Sequence, residues 1–130
     1  MKLWIDDVRP APEGYAWCKS VEATKSLIIV LERGIEGYRY MIEHPEHIML
    51  AGVSPIKENI QKEIDKFQIE IIDLDHDAGN YASDGGDYIR LLDWLEETGR
   101  NYPIRIHSAN PVGVTNMRRI IQRNNWKEVF

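Results

Sequence analysis

The sequence predicts an α/β domain, a doubly wound parallel sheet in three layers, with helices on both faces. Three observations predict it. Short apolar runs at Leu3–Ile5, Ile69–Leu74 and Ile104–Ile106 alternate with longer segments whose apolar residues recur at helical spacing. The connections between the runs are long enough to hold helices, which is what parallel strands need. Each run then ends in acids, histidines or hydroxyls, as a buried strand does when it meets a polar rim.

The chain has 130 residues, 43% of them apolar and 28% charged, so one domain over residues 1–130 is expected, with enough core to fold without a disulfide. Lys2–Asp7 reads as the first strand: Leu3, Trp4 and Ile5 form a continuous apolar run, and Asp6 and Asp7 end it. Arg9-Pro10-Ala11-Pro12 stops regular structure, with Trp17 and Val21 placed to close over the loop. Ser20 is a candidate N-cap for a helix over Val21–Arg33, with Leu27, Ile28, Val30 and Leu31 inward and Gly34 and Gly37 ending it. Residues 38–54 are ambiguous: Tyr38, Tyr40 and Ile42 alternate as a short strand would, and His44-Pro45 breaks them. Ile56, Ile60, Ile64 and Phe67 have helical spacing.

The strand within Ile69–Gly79 follows, then a polar loop over Asn80–Gly86 in which Ser83 or Asp84 can cap a helix over Gly86–Glu97. Tyr88, Leu91, Leu92 and Leu95 form the stripe of that helix, and Gly99 ends it. A strand over Ile104–His107 leads to Ser108-Ala109-Asn110-Pro111 and a helix over about Val114–Asn124, with Met117, Ile120 and Ile121 inward. Trp126–Phe130 is a candidate last strand.

In such a sheet functional groups gather outside the carboxyl ends of the strands. Three strand ends carry them here: Asp6-Asp7, Asp75-His76-Asp77, and His107-Ser108 with Asn110. Clustered carboxylates repel unless a cation, proton or amide offsets them, and a hard divalent cation takes carboxylate oxygens. Asp6, Asp7 and Asp75 are the candidate ligands for Mg²⁺ or Mn²⁺. Asp75, His76 and His107 are the candidate catalytic groups, since each imidazole can donate or accept a proton near neutrality. Ser108, Asn110 and Arg9 are candidate phosphate ligands; Ser108 and Asn110 can also serve only as local caps, and Arg9 can pair with the acids. Asp77 is expected to support the site or cap its loop, Asp73 is a weaker candidate, and Arg105 is expected in a salt bridge.

Other classes are disfavoured. A net charge of −5 argues against an extended nucleic-acid surface, though not against one nucleotide or RNA end. No apolar run approaches the ~20 residues of a membrane span. The N-terminus, with acids at Asp6 and Asp7, is not expected to be a signal peptide, and the single Cys18 fits the expectation of a cytoplasmic protein.

Four blocks together resemble a known family: LWIDDVRPAP (Leu3–Pro12), DLDHDAG (Asp73–Gly79), GGDYIRLLDWLEE (Gly85–Glu97) and IRIHSANPVG (Ile104–Gly113). They look like the cyclic-phosphate-processing receiver-like proteins, stand-alone relatives of response-regulator receiver domains. The resemblance implies a flavodoxin-type, receiver-like sheet and a role on cyclic phosphates of nucleotides or RNA ends. It matches Asp6 and Asp7 to the receiver acidic pair, Asp75 to the phosphoacceptor and Ser108 to the conserved hydroxyl. His76, Asp77, His107 and Asn110 match the features that set the family apart from ordinary receivers. Residues 38–67 are a candidate family-variable insertion or β2-α2 region. Receivers also place a lysine after the last strand, where this chain has only Lys127. That departure counts against an ordinary phosphorylation switch; a phosphoaccepting signalling module, supported by the acidic pair and Ser108, or a non-catalytic nucleotide-binding adaptor is the alternative to an enzyme.

Overall fold

The computed structural model describes residues 1–34 and 68–130, with positions 36, 39 and 43 between them. The elements expected over residues 38–67 lie outside these. The described chain forms strands β1 (Lys2–Ile5) and β2 (Tyr15–Cys18), helix α1 (Val21–Glu32), strand β3 (Ile71–Leu74), helix α2 (Ile89–Glu97), strand β4 (Ile104–Ile106) and helix α3 (Pro111–Arg123). The four strands make one parallel sheet in the order β2-β1-β3-β4. Glu128 adds a parallel bridge to Ile104 where a last strand was expected. This is the expected receiver-like α/β arrangement.

One strand departs from expectation. Tyr15–Cys18, of which only Trp17 was expected to close over the first loop, is β2 and pairs directly with β1. Parallel neighbours usually need a crossover of a dozen or more residues, commonly a helix. Here residues 6–14 make the crossover, turning at Gly14 with φ +84°. Trp17 still closes over the loop as expected, donating its indole N–H to the Asp6 carbonyl at 2.8 Å.

The register places Trp4 beside Asp73 and Asp73 beside Arg105, with Ile5, Leu74 and Ile106 in the next row. Successive side chains alternate faces. Leu3, Ile5, Ile72, Leu74 and Ile104 therefore share one face, and they join the core with Leu27, Ile28, Leu91, Leu92, Leu95, Met117 and Ile121 from the helices. Each such fully buried side chain stabilises the fold by about 1.5–3 kcal/mol. The other face of the sheet carries Trp4, Asp73 and Arg105.

Capping fixes the helix entries. Ser20 Oγ accepts from the Ala23 amide at the start of α1 and donates to Asp84 Oδ2 at 2.6 Å. Asp84 thus ties the loop after β3 to α1, and α2, which begins at Ile89, has no side-chain cap. Asn110 caps α3, accepting from the Gly113 amide. Among the described residues no helix is long and apolar enough to cross a membrane.

Candidate active site

Asp6, Asp75 and His107 each follow a member of one aligned row, Ile5, Leu74 and Ile106. Backbone bonds continue the ladder past the strand ends, from the Asp75 amide to the Ile5 carbonyl and from the His107 amide to the Leu74 carbonyl. Neighbouring strands lie about 4.8 Å apart, so in-register strands bring these three positions together at one edge. The fold thereby assembles all three predicted strand ends.

Asp6 is buried and heavily bonded. Its Oδ1 accepts from the amides of Val8 and Arg9 at 2.9 and 2.8 Å, and its Oδ2 lies 2.9 Å from His107 Nε2. Burial pushes this carboxyl up, but the two amides and His107 outweigh it and hold Asp6 below its ordinary value. Asp7 stands beside Gly79, whose φ of +55° and missing side chain leave room for it: a Cβ there would lie 2.3 Å from Asp7 Oδ2. Asp75 Oδ1 accepts from the His76 amide at 2.7 Å. Asp6, Asp7 and Asp75 each offer an oxygen within 4.8 Å of the others. Three hard oxygens so grouped could coordinate a hard metal ion.

Arg9 meets these acids while staying half in solvent. Its Nε lies 3.5 Å from Asp6 Oδ2 and its Nη2 3.7 Å from Asp75 Oδ2, with the side chain 53% exposed. It offsets part of their charge from the outer side.

His76 lies against the first turn of α3. A Cβ on Gly113 would sit 2.4 Å from His76 Cγ, so the imidazole occupies the space that glycine leaves. His76 Nδ1 is 2.8 Å from Asp77 Oδ1 and 3.5 Å from Asn110 Nδ2. A carboxylate oxygen accepts, so the tautomer with its hydrogen on Nδ1 suits Asp77 and leaves Nε2 as an acceptor. Asp77 thus supports His76. With Asp87 these two residues form a second group whose ligand atoms fall within 4.8 Å of one another.

Ser108 and Asn110 act as caps. Ser108 Oγ accepts from the Asn110 amide at 3.1 Å, and Asn110 Oδ1 accepts from Gly113 at 3.0 Å. Both retain donors, the Ser108 O–H and the Asn110 amide hydrogens, beside His76. Arg105 makes the salt bridge expected of it, 3.0 Å from Asp73 Oδ2. Lys127 is not at this edge: its carbonyl accepts from the Ile104 amide, at the opposite end of β4 from His107.

Three neighbours complete the site: Asp73, expected only as a weaker candidate, and Trp4 and Gly113, which were not singled out for it from the sequence. Asp73 is fully buried and lies 2.6 Å from His107 Nδ1. Trp4 stacks on the His107 ring at 3.7 Å with the planes 5° apart. Gly113 seats His76. The available signal was Asp73 itself, an acid inside an apolar strand, two positions before Asp75 and so on its face of the sheet.

A family model described as cyclic-phosphate processing receiver domain matches residues 1–123. The chain belongs to this family. The match runs through every strand and helix of the cyclic-phosphate processing receiver domain described above and through all of its site residues. No curated protein and no solved structure matched the chain.

Proposed function

We propose that this domain hydrolyses a cyclic phosphate on a nucleotide or an RNA end, with Asp6, Asp7 and Asp75 holding Mg²⁺ or Mn²⁺. The observation that carries the reading is the meeting of those three carboxylates, within 4.8 Å of one another, next to the His76 that follows Asp75 in the chain. Family membership supports the substrate class. A divalent ion bound there would polarise the phosphate and offset the charge that develops on it.

The chain's own groups do the rest. Asp77 holds Nδ1 of His76, so Nε2 takes the proton of the attacking water as its oxygen bonds to phosphorus. One ring P–O bond breaks, and the departing sugar oxygen takes a proton from solvent while His76 returns its own to solvent; His107, expected as the acid, has both ring nitrogens against carboxylates. Ser108 O–H, the Asn110 amide hydrogens and Arg9 hold the phosphate oxygens. Because Arg9 lies near Asp6 and Asp75, it bridges the acids and the substrate. A cytoplasmic setting is part of this reading, since Cys18 is a free, buried thiol.

The test is incubation of the protein and Mn²⁺ with a panel of 2′,3′-cyclic nucleotides and with cyclic-phosphate-ended RNA, followed by chromatography. Ring opening that disappears in Asp75→Asn is expected. No opening above that variant would sink the enzyme reading for these substrates.

A phosphoaccepting role for Asp75 draws support from its acidic neighbours and from a side chain 13% exposed. Against it stands the position of Lys127 at the far end of β4. Beryllofluoride treatment read by chemical-shift change separates the two readings; the proposed hydrolase is expected to give no shift.

A further inference from the structure

We propose that Asp73 is a positioning residue that acts through His107 to fix the Asp6 carboxylate as a metal ligand, an inference that rests on the metal reading above.

The His107 ring is held on three sides. Its Nδ1 lies 2.6 Å from Asp73 Oδ1 and its Nε2 lies 2.9 Å from Asp6 Oδ2. Its face stacks on Trp4 at 3.7 Å. Trp4 is itself anchored, donating its indole N–H to the Arg9 carbonyl at 2.9 Å. The His107 side chain is only 9% exposed. Each ring nitrogen lies against a carboxylate oxygen, so both are occupied. An imidazole so placed orients its neighbours, and a proton leaving it for substrate would break one of two short contacts.

Asp6 is the group that benefits. Two amides fix its Oδ1, and His107 adds the third donor, on Oδ2. Rotating the carboxylate to suit a different ligand geometry would break all three. The tether of that third donor is Asp73. A buried carboxylate with no partner is strongly disfavoured, and this fully buried one is satisfied by His107 on Oδ1 and by the half-exposed Arg105 on Oδ2. Partners of this outer kind commonly change metal affinity by about 10–100-fold.

The test measures Mn²⁺ affinity of the full chain from the electron paramagnetic resonance of the free ion. Asp73→Ala is expected to weaken binding about tenfold. Asp73→Asn keeps an acceptor for Nδ1–H and is expected to weaken it less. Arg105→Met, at a side chain 45% exposed, is expected to stay within twofold of wild type. If Asp73 acted only through its charge, Asn and Ala would weaken binding equally and Arg105→Met would strengthen it; that pattern overturns the inference. Unchanged affinity in Asp73→Ala also overturns it, while leaving the metal reading intact. A wild-type chain that binds no Mn²⁺ overturns both. Should Asp73→Ala not fold, Asp73→Asn and Arg105→Met decide together: weaker Mn²⁺ binding in Asp73→Asn with Arg105→Met within twofold of wild type is expected, and unchanged binding in Asp73→Asn overturns the inference.

Discussion

Gly113 and His76 interlock: a Cβ on Gly113 would lie 2.4 Å from His76 Cγ and 2.5 Å from Cδ2. Gly113 is also the first-turn residue whose amide Asn110 caps. The helix entry and the imidazole are therefore fitted to each other.

Gly113→Ala tests that fit. In a helix, Ala for Gly is ordinarily stabilising by about 0.5–1 kcal/mol. Here the methyl must displace the imidazole. The expected outcome is a folded protein in which the His76 ring resonances move and cyclic-phosphate opening falls at least about tenfold, since small misplacements of a reacting group can cost about 100-fold. Unmoved His76 resonances would rule out the displacement.

Ser20 joins two separate segments, capping α1 and donating to Asp84. Ser20→Ala removes both contacts. A loss of about 1–2 kcal/mol in urea unfolding is expected, the upper part of the range for an N-cap. Ser20→Thr is expected to keep most of it. A Ser20→Ala variant as stable as wild type would show the cap to be replaceable by water.

Acid stability follows from Glu96. Hydrogen bonds from Arg123 and Asn124 lower its carboxyl from an ordinary 4.5 to about 2. Between those values the folded state binds fewer protons than the unfolded chain, so stability is lost as the pH falls through this window and is fully present above it. Glu32, though opposed by burial, is lowered in the same sense by Arg100 and Tyr102. Glu96→Gln is expected to flatten the decline of the melting temperature between pH 4.5 and 2. An identical slope in wild type and variant would contradict this.

Cys18 is buried, and burial pushes its thiol up to about 12. The thiolate is the reactive form, so the folded protein is expected to resist iodoacetamide at pH 8 and to be labelled fully once unfolded. Intact mass after timed labelling checks it. Rapid labelling of the native protein would contradict the buried setting.

The sequence by itself determined the strand-end acids and histidines, the apolar stripes of three helices and the order in which they occur. These are local properties: a run of apolar residues, a helical period, a capping serine at Ser20. Asp6, Asp75 and His107 were legible because each closes an apolar run, and in-register parallel strands leave such closing residues side by side. Strand β2 was not legible, because the prolines before it read as a stop and no helix intervenes between it and β1. Only the tertiary structure decided what each group touches. It occupied Ser108 and Asn110 as caps and seated His76 against Gly113. It also placed the two nitrogens of His107 against Asp73 and Asp6, residues 34 and 101 positions away along the chain. Hydrogen-bond partners at such separations are set by strand order and register, and no local pattern in the chain encodes them.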